Sequence, residues 1–218
     1  MAISAELVDV VALVLKKPVT EVGNHLRNLR KAGLVSLAGR GASAAAMTAD
    51  DAINLVLAVI GSERVKDSIS TTQKLATLPV IEHRVNYRHK EWSQHQARTQ
   101  RPLLVLPQDH TLQDALRTLF GIVSLCLGHD TENTGAHASL PTFTRAPPTF
   151  HVKIFYPRYK ALIQVSLRGI AREYWTYELP HGASVAGRSE FSTGDLVQMR
   201  GFSDVTVTQI CQLLGGRK

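Results

Sequence analysis

The sequence has few cysteines, since Cys126 and Cys211 are the two among its 218 residues. Both stand in apolar helical patterns, so we interpret them as small buried side chains in a reducing compartment, with a single disulfide as the alternative. Apolar runs such as Leu55–Ile60 fall far short of the ~20 residues that a membrane-spanning helix needs. Glu6 and Asp9 interrupt the first apolar stretch, which argues against a signal peptide. We therefore expect a cytoplasmic protein without a membrane segment.

The chain also lacks the motifs that mark common enzymes. It contains no CxxC pair, no HExxH, no glycine-rich phosphate loop with Lys-Ser/Thr and no GxSxG. Asp109–His110 and His129–Asp130 each place a base beside a carboxylate, but neighbouring side chains point apart, so we expect structural roles. The histidines within residues 82–101 recur at every sixth position and do not share a helical face. We expect no catalytic residue, cofactor or metal, and rank an unrecognised active site in residues 102–218 last.

Acidic residues are in the minority. Lysine and arginine total 25 against 18 acids, which gives a net charge of +7 and a pI near 9.6. The excess is concentrated in two segments: residues 16–40 hold six basic residues and one acid, and residues 84–101 hold five and one. A basic surface gains affinity for nucleic acid by releasing counterions from phosphates, so a polyanionic partner is the natural hypothesis.

The first basic segment lies on a predicted helical hairpin. Apolar spacing predicts helices over residues 3–15 and 19–32, separated by Lys16-Lys17-Pro18 and ended by Gly33. In the second helix Val22, Leu26 and Leu29 form one stripe, which places Thr20, Asn24, Arg27 and Lys31 on the opposite face. Such a face fits the major groove, where arginine reads guanine and asparagine reads adenine.

Residues 6–47 resemble a winged helix-turn-helix DNA-binding domain. The resemblance rests on the two helices, on HLRNLRKAGLVSLAGRG at residues 25–41, and on a Gly-Arg-Gly tip that looks like a wing. It implies a recognition helix, a following strand, and a phosphate or minor-groove contact at the wing tip. The family's leading helix is absent, or is replaced by residues 48–60, and the wing region is alanine-rich. The candidate DNA-binding residues are Lys16, Lys17, Thr20, Asn24, Arg27, Arg30, Lys31 and Arg40. The alternative is a hairpin with a solvated basic face.

The middle of the chain continues the helical pattern and then becomes polar. Thr48 and Asp51 match a capping box that starts a helix, whose apolar face runs to Ile60. Residues 63–78 predict a more polar helix. Residues 82–101 read as a charged linker, or alternatively as a nucleic-acid arm whose Tyr87 and Trp92 stack on bases. The candidate secondary contacts in this arm are Arg84, Arg88, Lys90, Arg98 and Arg101.

The second half predicts an α+β arrangement. A second capping box at Thr111 starts a helix that runs to about Leu127, and residues 128–147 read as a long loop. Residues 151–156, 161–168 and 172–179 predict an antiparallel meander with one wet face, followed by short helices over 193–199 and 205–214. The aromatic residues of the meander, among them Trp175, indicate packing or a ligand platform. Three strands and one helix bury little apolar area, so we expect self-association about a two-fold axis that covers Trp175.

These patterns together predict an α+β protein with a winged-helix-like domain over residues 1–80 and a C-terminal meander with helices. Residues 81–101 would be a basic linker or arm, and residues 102–218 a domain for dimerisation, partner binding or ligand binding. The predicted function is sequence-specific binding of double-stranded DNA by a homodimeric transcriptional regulator of bacterial, phage or mobile-element type. The alternatives are an accessory protein of DNA packaging, replication or recombination, and a non-catalytic module that binds an acidic protein.

Overall fold

In a computed structural model, the first two helices begin and end within one residue of the positions that the sequence predicts. Helix α1 spans Ser4–Leu15 and α2 spans Val19–Lys31. Lys16 adopts a left-handed conformation (φ 52°) at the end of α1, and Gly33 (φ 69°) does so after α2. Glycine favours this conformation because it has no Cβ to clash with the backbone. The structure describes residues 2–36, 46–87, 106–129, 148–167, 171–179 and 198–215, so Arg40 and the predicted wing lie outside the described residues.

The third helix is buried on all sides. Helix α3 spans Ala49–Gly61, and the predicted capping box at its start is confirmed: Thr48 Oγ1 accepts from the Asp51 amide at 3.2 Å. Every residue of α3 except Asp50 is buried, so the prediction of one apolar face was too narrow. The reason is its central position, because α2, the helices at Ser68–Ala76 and Leu112–Cys126, and the sheet all pack against it.

The predicted helix over residues 63–78 is shorter in the structure. Arg64 is extended (φ −127°, ψ 147°), a short 3-10 turn spans Val65–Asp67, and helix α4 spans Ser68–Ala76. An extended residue cannot continue a helix, which explains the later start.

One strand from the first half of the chain and four from the second form a five-stranded antiparallel sheet, with strand order β1-β4-β3-β2-β5. Its strands are β1 Val80–Tyr87, β2 Thr149–Tyr156, β3 Lys160–Leu167, β4 Ala171–Glu178 and β5 Gln198–Ser203. The meander β2-β3-β4 and the α+β class are confirmed.

Two strands were not predicted from the sequence. Strand β1 occupies residues assigned to the linker, so Arg84 belongs to the sheet and the interpretation of residues 82–87 as a linker was wrong. Edge strand β1 carries polar side chains on both faces and therefore lacks apolar alternation. Strand β5 includes Gln198 and Met199, which corrects the end of the predicted helix 193–199; residues 193–197 lie outside the described residues, as do 130–147 of the predicted loop.

The two halves of the chain share one hydrophobic core. Helices α5 (Leu112–Cys126) and α6 (Asp204–Leu214) were both predicted, and α6 packs against α1 as well as α5. Arg117 of α5 also binds Asp50 of α3 through Nε at 2.6 Å and Nη2 at 3.0 Å. The buried apolar residues of both halves belong to one core cluster, whose first and last members along the chain are Leu7 and Cys211. The predicted boundary at residues 81–101 therefore does not separate two cores.

We expected self-association to cover an exposed Trp175, but Trp175 is not exposed. Trp175 is 5% exposed within a single chain, because one face of the sheet already lies against the helices. Covering Trp175 therefore gives no reason for dimerisation. Neither Cys126 nor Cys211 forms a disulfide within the described residues: Cys126 is half-buried, and burial raises the pKa of Cys211 to about 11. In the described ranges no helix has the length and apolar character needed to cross a bilayer.

Candidate nucleic-acid interface

Helix α2 presents its polar face to solvent. Thr20, Asn24, Arg27 and Lys31 are all exposed, on the side opposite the buried stripe of Val22, Leu26 and Leu29. Arg27 Nη1 donates a hydrogen bond of 2.8 Å to Asn24 Oδ1. The guanidinium and the amide therefore lie side by side, with several N–H groups still directed at solvent.

The two lysines before α2 differ in their surroundings. Lys17 Nζ lies 3.1 Å from Glu21 Oε1, one turn along, so its charge is partly neutralised. Lys16 is exposed and, within the described part of the chain, forms no salt bridge. Of this pair, Lys16 is the charge better placed to meet a phosphate.

Arg30 does not belong to the exposed face of α2. Arg30 as a whole is half-buried. The Nε and Nη2 atoms of its side chain are buried without a hydrogen-bond partner among the described residues. It lies on the flank of the helix, three residues from Arg27 and one turn from Leu26. Its guanidinium therefore meets the protein more than it meets solvent, unlike the other candidate residues of the helix.

Two side chains that sequence reasoning missed hold α2 in place. His25 Nδ1 lies 2.8 Å from Ser68 Oγ, and Asn28 Nδ2 donates to the Val65 carbonyl at 2.8 Å. The Ser68 hydroxyl donates its own hydrogen to that same carbonyl, so its oxygen must accept from His25 Nδ1–H. Burial lowers the pKa of His25, with Glu21 raising it and Lys17 lowering it further. The sequence feature that could have indicated a buried role for His25 is its position beside the apolar stripe of α2.

The segment after α2 departs from the winged-helix expectation. Leu34, Val35 and Ser36 form no strand. Instead the Ser36 amide donates to Asp51 Oδ1 at 2.8 Å, and Asn54 Nδ2 donates to the Leu34 carbonyl at 2.7 Å. Side chains of α3 thus satisfy backbone groups that a strand partner would otherwise take.

Most of the predicted secondary contacts lie outside the described residues, namely Arg88, Lys90, Arg98 and Arg101. Arg84 is described: its side chain is 71% exposed on β1, and its Nε lies 2.5 Å from Glu82 Oε1. The structure brings Thr20, Asn24, Arg27 and Lys31 together on α2, and it places Arg84 on the sheet.

A second polar cluster joins β1 to β4. His83 Nε2 lies 2.8 Å from Oε1 of the wholly buried Glu173, and the His83 ring stacks on Trp175 with centroids 3.9 Å apart. A buried carboxylate oriented toward an imidazole is an arrangement used in acid–base chemistry. Here the contact joins the edge strand β1 to its neighbour β4. Sequence reasoning missed it, because the partners are 90 residues apart.

His110 extends this cluster. Its Nδ1–H donates to the Pro107 carbonyl at 2.6 Å, so Nε2 accepts from the Tyr177 hydroxyl at 2.9 Å. Burial lowers the pKa of His110, although the Pro107 carbonyl raises it, and burial raises the pKa of Tyr177 well above its usual value. Among the residues that the structure describes, no group of three or more His, Cys, Asp or Glu side chains could hold a metal ion.

Comparison with known proteins identified no relatives: no family model, no curated protein and no solved structure matches the chain.

Proposed function

We propose that this protein binds double-stranded DNA through the exposed face of α2, as a transcriptional regulator of bacterial, phage or mobile-element type. The observation that supports the proposal is the row of Thr20, Asn24, Arg27 and Lys31 on a helix whose opposite side is buried. An α-helix about 10–12 Å across fits a major groove about 12 Å wide. Arg27 would read guanine and Asn24 adenine, with Lys31 and Lys16 on phosphates.

The anchoring of α2 adds to this support. A recognition helix must keep its register while it lies in the groove, and side chains held by a rigid scaffold lose less entropy on binding. The hydrogen bonds of His25 and Asn28 attach α2 to the 3-10 turn and to the start of α4. His25 lies on the side away from Arg27, and none of the four residues of the exposed face takes part in either bond, so that face remains free to contact DNA.

The test uses the full chain and a pool of random duplexes. Selection should enrich a defined sequence, and Arg27→Ala should weaken binding to it by about 1–3 kcal/mol while relaxing the preference at one base pair. Arg158→Ala is the matched control, because Arg158 is an exposed arginine in the β2–β3 turn. Unchanged affinity for a folded Arg27→Ala protein would refute the proposal.

The same measurements separate the alternatives. A regulator should bind the selected duplex at least about a thousandfold more tightly than random duplex. A packaging, replication or recombination accessory protein should bind both nearly equally. A module for an acidic protein should bind neither. If a homodimer is the binding form, the selected sites should be inverted repeats with half-sites about 34–36 Å apart.

A further inference from the structure

The sheet has an outer face that the described helices do not cover. Val152, Ile163 and Trp175 are cross-strand neighbours on β2, β3 and β4, and all three are buried members of the core cluster that also contains residues of the helices. Because side chains alternate along a strand, the residues between them point to the other side of the sheet.

One row of side chains crosses this outer face. Arg84 of β1 lies opposite Tyr174 of β4, Tyr174 lies opposite Gln164 of β3, and Gln164 lies opposite His151 of β2. Arg172 is two residues before Tyr174 on the same strand and so shares its face. We name Arg84, His151, Gln164, Arg172 and Tyr174 the outer-face cluster.

The outer-face cluster is accessible and basic. His151 and Arg172 are exposed, Arg84 has a 71% exposed side chain, and Tyr174 and Gln164 are half-buried between them. Glu82 pairs with Arg84, whereas Arg172 forms no salt bridge to any residue that the structure describes. The other acid of this face, Glu178, pairs with Lys160 at 3.0 Å near the opposite end of the strands. A tyrosine therefore lies between two arginines, one on the neighbouring strand and one on its own.

We propose that the outer-face cluster binds single-stranded nucleic acid. An aromatic ring flanked by cations on an open sheet supplies the two interactions that single strands need: a surface for an unpaired base and charges for its phosphates. Tyr174 stacks on a base, and Arg172 contacts a phosphate. Arg84, whose charge Glu82 partly neutralises, offers its remaining N–H donors to a second phosphate. Gln164 and His151 offer hydrogen bonds to base edges. A duplex does not fit this face, since its bases are already stacked and no element of the sheet projects into a groove.

This surface is independent of α2. Helix α2 packs against α1, α3 and α4 in the helical layer, and that layer lies against the inner face of the sheet. The two surfaces therefore respond to different substitutions.

The experiment is fluorescence anisotropy of the full chain with labelled dT20 and, in parallel, with a labelled 20-base-pair duplex. Tyr174→Leu should weaken dT20 binding about 5- to 150-fold, the range for loss of one stacked base. Tyr174→Phe keeps the ring and should stay within about twofold of the unsubstituted protein. Arg172→Gln should reduce the slope of log affinity against log salt by about 0.7, the value for one phosphate of a single strand.

Arg158→Gln is the matched control for Arg172→Gln. Arg158 is an exposed arginine in the β2–β3 turn, whereas Arg172 pairs with Ser166, six residues beyond Lys160 along β3. The two arginines are therefore about 20 Å apart along the strands. The Arg158→Gln protein should keep the affinity for dT20 and the salt slope.

Several outcomes would overturn the inference. These are no binding of dT20, equal binding by the folded Tyr174→Leu protein, or a loss of dT20 binding in Arg27→Ala that Tyr174→Leu does not share. If Arg27→Ala loses only duplex binding and Tyr174→Leu loses dT20 binding, the results support both surfaces. If the protein binds no duplex but binds dT20 in a way that depends on Tyr174, the function proposed for α2 is refuted and the outer-face cluster is supported.

Discussion

The hydrogen bond between His25 and Ser68 should be measurable as a contribution to stability. His25 is 2% exposed and Ser68 is fully buried. Ser68→Ala leaves the His25 Nδ1–H buried without an acceptor, which costs about 1–3 kcal/mol. In a chain of this size each kcal/mol lowers the melting temperature by about 2–4 °C. The assay is urea or thermal unfolding at pH 7.5.

A double-mutant cycle separates this bond from general packing. His25→Leu removes the donor, and the double variant His25→Leu, Ser68→Ala leaves neither a donor nor an acceptor unpaired. The double variant should therefore lose about 1 kcal/mol less stability than the sum of the two single variants. Additive losses, or an unchanged melting temperature in Ser68→Ala, would refute the assigned hydrogen bond.

The same histidine predicts a pH dependence. Burial lowers the pKa of His25 in the folded protein, so the unfolded chain takes up this proton at a higher pH than the folded one does. The contribution of His25 to stability is therefore complete above the unfolded pKa of about 6.5 and is lost as the pH falls through the folded pKa. His25→Leu should reduce the acid destabilisation below pH 6.5. A residual effect is expected, because the pKa of His110 is lowered in the same direction.

Three further substitutions test packing in the sheet, packing in α2 and the hydrogen bond between Tyr177 and His110. A Cβ on Gly201 of β5 would overlap the backbone carbonyl of Val152 on β2, so Gly201→Ala should destabilise the fold by about 1–3 kcal/mol. A Cβ on Gly23 meets no atom within 4 Å, so Gly23→Ala should stabilise α2 by about 0.5–1 kcal/mol. Unfolding midpoints equal to that of the unsubstituted protein would contradict both predictions. Tyr177→Phe removes the donor to His110 Nε2 and should cost about 1–3 kcal/mol in urea unfolding, a loss that an unaltered midpoint would disprove.

The elements that the sequence predicts well are those with a local cause. Thr48 with Asp51, and Thr111 with Asp114, each form a capping box over four consecutive residues, and both helices start there. The face of α2 follows from its apolar stripe, since three- and four-residue spacing specifies one side of a helix.

The elements that the sequence does not predict depend on distant partners. Strand β1 exists because its backbone pairs with β4, some 90 residues later, and His83 and Glu173 meet across that pairing. The anchor of α2 joins His25 to Ser68, 43 residues away. Contacts of this kind have no signature in a short window, so residues 82–87 look like a charged linker until β4 is placed beside them.

The shared core leads to a last prediction about cooperativity. Because α3 contacts both α2 and the sheet, and α6 packs on α1, the helical layer cannot unfold without exposing the inner face of the sheet. Calorimetry should therefore show one transition. A duplex or dT20 at a hundred times its dissociation constant should shift that whole transition by about 2.7 kcal/mol, or roughly 5–11 °C. Two separate transitions, each moved by one ligand alone, would show instead that residues 1–80 and 102–218 unfold as independent domains and that the continuous core does not couple them.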